Sequence, residues 1–386
     1  MRIRAKNYAT AELIDVRVDA EWIADVRSAG KEATDLEAGW VAPALFDLQI
    51  NGSDGHSFNS PELTVDQIRH VVAVCHRHGI VGLCPTLITN SAEALVHGFA
   101  TVRRACETDM EVARAVSCLH LEGPYISPDD GPRGAHPRQF VRPPDWDEFR
   151  RFQEASDNRI RLVTLAPEID GAIGFIERLV ASGVIVSIGH TNAKRDHLRS
   201  AIAAGARLST HLGNGAHAML PRHENYIWEQ LAADELWASI ICDGHHLTPA
   251  VMRCILRVKT SRRTILTCDA SSLAGLPPGR YHEWGQDIEV QPGNRVVVAS
   301  TPYLAGSGVF TDHCVATVLK QTDASLAHAI DMASARPREL LGLEPRTLQP
   351  GAPADLILFD WQPGSEFRLR ATVIAGRQPE LQTSGA

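Results

Sequence analysis

VSIGHTNA, residues 186–193, closes the apolar run GVIVSI on a histidine, His190, and then turns polar. Three other stretches repeat the device. CLHLEGP (118–124) ends on Glu122, LSTHLGNG (208–215) on His211, and ILTCDAS (265–271) on Asp269. In each, a strand-like run gives way to small residues or a polar loop where a metal-binding or proton-moving side chain appears. That is the layout of a parallel α/β barrel, whose chemistry sits on loops at the strand C-termini. One carboxylate, two imidazoles and a further carboxylate suit one divalent metal beside a general base. The order points to metal-assisted hydrolysis.

Outward from these stretches, strand-like and helix-like segments alternate. PALFDLQI (43–50) precedes a loop. VDQIRHVVAVCHRHG (65–79) reads as a helix ending at Gly79, and IVGLCPTL (80–87) as a strand. SAEALVHGFATVRRACE (91–107) reads as a helix with Ser91 as N-cap. The pattern continues through ASIICDG and TPAVMRCILRV (248–258). Such alternation implies a parallel sheet with crossover helices. No G-x-G-x-x-G loop follows the first strand, so a closed (β/α)₈ TIM-like barrel fits better than an open dinucleotide-binding sheet. Both chain ends instead alternate with a β-period, in AELIDVRVDAEWIADV (11–26) and in LILFDWQPG with FRLRATVIAGR (356–377). The expected architecture is α/β: a barrel over residues 41–345 and a small β-sandwich domain from residues 1–40 and 346–386. The last nine residues, QPELQTSGA, read as a polar mobile tail.

Composition narrows the function. With 386 residues, 44% hydrophobic and 22% charged, the chain can bury a large core. A net charge of −8 gives no reason to expect nucleic acid or an acidic membrane as partner. No apolar run is long enough to span a bilayer, and the N-terminus lacks the apolar stretch of an export signal, so a cytoplasmic location is expected. The eight cysteines form no C-x-x-C pair and read as reduced, buried small hydrophobes. Cys268 neighbours Asp269, and adjacent strand residues point to opposite faces, which argues against a role for it in the site.

Singly, each site residue has a plain structural role. Glu122 before Gly123-Pro124 can cap a turn, and a lone His at a strand end is ordinarily a hydrogen-bonded structural group. Together, Glu122, His190 and His211 leave an open position on a zinc-like ion, with Asp269 to take a proton and return it to a leaving amine. His245 and His246 of ICDGHHLTP compete for a role at a substrate oxygen, and spacing does not choose between them. His120, two residues before Glu122 on the same face, makes H-x-E a rival ligand pair, although a supporting role suits it better. His76 and His78 lie at a helix end, where they favour its dipole, and His56 is a loop residue or a group supporting the site from behind its ligands.

These segments resemble the amidohydrolase superfamily, and within it the N-acetylglucosamine-6-phosphate deacetylase family. FDLQINGSDGHSFN (46–59), LCPTLITNS (83–91), LHLEGPYISP, RGAHPRQFV (133–141), VTLAPE (163–168), GHTNA, THLGN, DGHH (243–246), LAGS (304–307) and LQPGAPADLILFD (348–360) occur in the family's order. The resemblance implies metal ligands Glu122, His190 and His211 for one divalent ion, zinc before Fe²⁺ or another. It makes Asp269 the acid/base and His246 the substrate-contacting histidine. It places Gln49, Asn51, Ala135, His136, Asn214, Gly215, Leu304, Ala305 and Gly306 around an amino-sugar substrate, with Arg222 on its phosphate. Many members have H-x-H where this chain has Gln49-Ile50-Asn51, which matches a single-metal branch. HLGNGAHAM stands where HLFNAM is usual, and PRHENYIW keeps Arg222 and His223 but lacks the family's Pro-Gly. The function implied is deacetylation of N-acetylglucosamine-6-phosphate, by a homodimer. Another N-acyl amino sugar or an N-acyl amino acid is the alternative substrate. A barrel that binds sugars without catalysis is the second alternative.

Overall fold

The computed structural model describes residues 1–378 and contains the barrel. Eight parallel strands run in chain order: Leu45–Ile50, Ile80–Ile88, Leu119–Glu122, Ile160–Leu165, Ile185–Ile188, Leu208–Ser209, Trp237–Ile241 and Thr264–Thr267. Each is hydrogen-bonded to the next, and helices pack outside. All nine residues of the second strand are buried, as expected where a parallel sheet is covered on both faces. The helices begin where the side chains allow. Thr64 and Ser91 each accept a backbone N–H of the first turn of their helices. From Pro379 on, the C-terminal tail lies outside the described residues.

Closing the circle needs the first strand to meet the eighth. Ile50 bridges Ala270, and Asn51 N–H donates to the Ala270 carbonyl at 2.8 Å. Below that bridge the seam is made by one buried carboxylate. Asp47 Oδ1 accepts from the Gln49 N–H (2.8 Å) and Thr267 Oγ1 (2.5 Å). Its Oδ2 accepts from the Cys268 N–H (2.8 Å) and Thr311 Oγ1 (2.5 Å). Burial pushes the Asp47 carboxyl up, and these four donors pull the other way.

The N-terminal end of the barrel is plugged. Phe46, Leu48, Cys84, Cys118, Leu162, Leu208, Trp237 and Ile265 form one apolar cluster drawn from around the ring, and the Arg338 guanidinium lies 4.8 Å above the Phe46 ring centre. The opposite end is left for chemistry. All eight cysteines are free thiols, as expected; seven are buried, and Cys254 is exposed.

Both termini build one six-stranded sheet, in the order 368–373, 356–360, 36–43, 2–7, 13–19, 22–28. Strand Leu356–Asp360 shows how it joins the barrel. Leu356 and Leu358 enter the small sheet's own cluster, whereas Ile357 and Phe359 enter the barrel's. The period of two thus welds two cores along one strand. Tyr8 Oη to Asp331 (2.9 Å) and Thr372 Oγ1 to the His76 carbonyl (2.8 Å) add polar ties. His76 does not serve its helix dipole as a cation: burial lowers it to about 4, so it stays neutral. The sequence reading also lacked a three-stranded meander, Gly279–Glu283, Gln286–Gln291 and Arg295–Val298, inserted after the eighth strand. Among the described residues no helix is long and apolar enough to cross a membrane.

Each Asp47 oxygen faces one backbone N–H, so an amide at this position must present its NH₂ to a donor whichever way it is flipped. Asp47→Asn is therefore expected to cost on the order of 2–4 kcal/mol despite its matching shape. Denaturant unfolding checks this, and a loss below about 1 kcal/mol would mean the seam is held elsewhere.

Candidate active site

Three of the four strand-end residues sit in a backbone conformation that side chains ordinarily avoid. His190, His211 and Asp269 have φ of 51°, 32° and 50°, each two residues after its strand ends. Positive φ costs a non-glycine residue about 1–3 kcal/mol and recurs at functional sites. Here it turns each chain sharply off its strand. Glu122 instead ends its strand directly, with Gly123 at φ 78° and a cis peptide to Pro124 beyond it.

The side chains converge. Glu122 Oε1 lies 3.1 Å from His190 Nε2 and 3.1 Å from His211 Nε2, and the two Nε2 atoms are 3.0 Å apart. The other ring nitrogen of His190, Nδ1, is 2.9 Å from the Pro132 carbonyl, which can only accept, so Nδ1 carries a proton. Neutral His190 therefore presents a lone pair at Nε2. Burial opposes a charge on His190, but Glu122 outweighs it and raises the imidazole's proton affinity. In turn, against its own burial, Glu122 is held well below the usual carboxylate range by the two histidines. Three buried lone-pair atoms facing one point ask for a cation. Their spacing is close to the ~3.3 Å between ligands of a tetrahedral ion with bonds of ~2 Å, so the donor set fits one zinc-like ion. His211 Nδ1 is buried and finds no partner among the described residues.

Two other histidines lie close by. His136 offers a ring nitrogen within 4.8 Å of ligand atoms of Glu122 and His190, and its ring centre is 4.3 Å from that of His190. Its Nδ1 is engaged by Thr89 Oγ1 at 2.7 Å, and burial keeps it neutral. The mutual 3.0–3.1 Å contacts favour His211 as the third member. His120 is in a hydroxyl layer beneath the cluster, with Nε2 2.8 Å from Thr164 Oγ1 and Nδ1 3.3 Å from Thr86 Oγ1. Burial lowers it to about 4.

Asp269 faces two neutral amides from the first strand. Gln49 Nε2 and Asn51 Nδ2 donate to its Oδ1 at 3.0 and 2.7 Å, and Gln49 Nε2 is also 2.9 Å from Glu122 Oε1. Burial first, then the charge of Glu122, push the Asp269 carboxyl up to about 7, against the pull of His211, Asn51 and His190. With both donors on Oδ1, Oδ2 is the oxygen free to take a proton. A carboxylate poised near neutrality suits a general base.

Above lies a cavity of about 230 Å³, lined by Glu122, His136, His190, His211, His246 and Asp269 among others. Of the remaining residues expected there, Asn51, Ala135, Asn214, Gly215, Leu304 and Gly306 line it. Gln49 does not; it is buried beneath, on the two carboxylates. Ala305 points into the apolar core under the meander. Arg222 is exposed on a loop, outside the cavity wall. A Cβ at Gly215 would sit 2.9 Å from His190 Nδ1, so a side chain there would crowd that imidazole. The pair left open in DGHH separates: His246 lines the cavity with its Nδ1 on Asp243 (2.8 Å), whereas His245 turns to the Gly293 carbonyl (2.8 Å). Cys268 points into the outer core, away from the site. Sequence reasoning missed Asp243, Gly131, Gly134, Trp284 and Tyr303. Asp243 was findable, since it ends the seventh strand's apolar run; Trp284 and Tyr303 carried no signal.

Comparison with known proteins identifies the family. Residues 40–383 match the Amidohydrolase family. The chain is 34% identical over 360 residues to an N-acetylglucosamine-6-phosphate deacetylase of Danio rerio, covering 89% of this chain and 85% of that one. It is 30% identical over 367 residues to an N-acetylgalactosamine-6-phosphate deacetylase of Escherichia coli O157:H7, covering 93% and 94%. Among solved structures it resembles the N-acetyl-D-glucosamine-6-phosphate deacetylase of Mycobacterium smegmatis, a mutant in complex with N-acetyl-D-glucosamine-6-phosphate. The TM-score is 0.89 at 28% identity, over 98% of each chain.

The amides of Gln49 and Asn51 are poor ligands for a transition metal and are already committed to carboxylates. One equivalent of divalent metal per chain is expected by elemental analysis. A second equivalent, lost on Gln49→Ala, would show that these amides ligate.

Proposed function

The chain belongs to the amidohydrolase family, and on that premise we propose that it is a metal-dependent deacetylase of N-acetylglucosamine-6-phosphate, yielding the free amino sugar phosphate and acetate. The observation that carries the reading is the convergence of Glu122, His190 and His211 beside an Asp269 raised to about 7. Glu122, His190 and His211 would hold one divalent ion, zinc before Fe²⁺. When bound, that ion would supply Lewis acidity, making a water nucleophilic near neutral pH and polarising an amide carbonyl.

The protein's own groups do the rest. Asp269 takes the water proton on Oδ2, while Gln49 and Asn51 keep Oδ1 fixed. It then returns the proton to the amine nitrogen as the C–N bond breaks. His246, oriented by Asp243, offers Nε2 to a substrate oxygen, and both groups are buried. Asp243 is lowered to about 2; burial opposes this, and His246 outweighs it, so Asp243 stays an anionic orienter.

The phosphate sets a further requirement. Among the described residues that line the cavity there is no Lys or Arg, and a phosphate dianion wants a fixed cation. Arg222 is the candidate, exposed on its loop, and would serve the site of a second copy in a homodimer. The alternative, a phosphate-free N-acyl amino sugar, is favoured by the same lack of a cation in the wall. The relative from Escherichia coli O157:H7 makes the galactosamine epimer the other substrate to test.

Asp269→Asn should keep fold and metal but lose about 10²–10⁴-fold in kcat, roughly 3–5 kcal/mol. Near-normal acetate release by the metal-loaded variant would remove Asp269 from the chemistry. Arg222→Ala should weaken kcat/KM for the 6-phosphate substrate at least tenfold more than for N-acetylglucosamine, about 1.4 kcal/mol of discrimination. Equal losses, or a wild-type preference for the unphosphorylated sugar, would shift the function to the alternative.

A further inference from the structure

The meander after the eighth strand ends its first hairpin on Trp284-Gly285, with φ of 51° and 75°. A two-residue turn of this kind needs positive φ at both positions, where Gly, Asn and Asp are at ease and a tryptophan is strained. The strained residue is the one that reaches the cavity, beside Pro302, Tyr303 and Leu304. Its indole Nε1–H is buried and meets no acceptor among the described residues. Buried indole N–H groups ordinarily have a partner, so this one points to a ligand.

The hairpin is held in place. Gln286 Nε2 donates to the Ala135 carbonyl at 2.8 Å, and the ring of His245 meets the Gly293 carbonyl at 2.8 Å. Ile288, Val290 and Val296 pack on Leu273 and Ala305 beneath. Beside the histidines and acids already described, the cavity wall includes Gly131, Gly134, Gly213 and Gly215, which have no side chains to offer. A ring-shaped substrate held over the converging histidines and acids therefore meets Trp284 as the meander's contribution to that wall.

We propose that Trp284 is a substrate-binding residue. Its N–H donates to a hydroxyl oxygen of the amino sugar, and its ring covers the C–H face of the pyranose. The inference rests on the amino-sugar deacetylase reading. The test compares wild type, Trp284→Phe and Trp284→Ala, each with metal content and thermal unfolding measured. Steady-state acetate release from N-acetylglucosamine-6-phosphate and titration with glucosamine-6-phosphate give the readouts. Trp284→Phe keeps a ring and loses the N–H. It should raise KM and weaken product binding about threefold to tenfold, with kcat within about twofold. Trp284→Ala should weaken both more than tenfold at unchanged metal content. Active wild type with an unaltered KM and product affinity in Trp284→Phe overturns the role of the indole N–H and leaves the deacetylase reading standing. Metal-loaded wild type that neither releases acetate nor binds the product overturns both.

Discussion

A closed barrel has no free edge only if its first strand finds its last, and here that meeting is held by Asp47. Its two oxygens each take one backbone N–H, from Gln49 on one side of the seam and Cys268 on the other. Those are the backbones that carry the amides and the acid of the site. One carboxylate thus fixes both halves of the hydrogen bonds that clamp Asp269, although it touches no substrate. Displacing it would open the sheet and detune the base together. An apolar pair could close the seam with less desolvation, but would not set the register so specifically.

Above the seam the barrel is layered by polarity. An apolar plug fills the N-terminal end. A belt of hydroxyls and one neutral imidazole follows, in which Thr164, Ser187 and Thr210 bond one another at 2.5–2.7 Å. The converging lone pairs come next, and then the cavity. The belt satisfies itself, so it neither draws in water nor competes for a cation. Each layer raises the electrostatic value of the one above by excluding water. Gln49 has the most demanding position: one amide donates to Glu122 and to Asp269, standing between two acids that would otherwise repel.

Much of this was legible in the sequence, for a physical reason. A parallel strand buried on both faces must be apolar, so its end is marked sharply by the first polar side chain, as at Glu122, His190, His211 and Asp269. What could not be read depends on contacts with no local period. Asp47 lies inside an apolar strand, and three of its four donors are more than two hundred residues away in the chain. The left-handed turns that aim His190 and His211 inward leave no mark, because even histidine, which is enriched at positive φ, adopts it in only a small minority of its positions. Ala305 and Leu304 are neighbours, yet one is core and the other cavity wall, which only the meander's packing decides. Trp284-Gly285 resembles no common turn pair, so nothing in the sequence marks the hairpin that carries it.

The small sheet is made from both ends of the chain, and that bears on how the protein is born. Strand Leu36–Pro43 pairs on one side with Arg2–Asn7 and on the other with Leu356–Asp360. At about 5–20 residues per second, the intervening stretch of about three hundred residues keeps a ribosome busy for on the order of fifteen to sixty seconds. For that time the N-terminal half-sheet waits with an open edge and with Val41 and Ile3 lacking their later neighbours, a state that invites pairing with another nascent chain. The Ile357 and Phe359 side chains that finish the barrel's core arrive on the same late strand. Completion of both cores is therefore a single terminal event. A chain truncated before residue 356 would lack the closing piece of each, and would leave the ribosome as a client for chaperones.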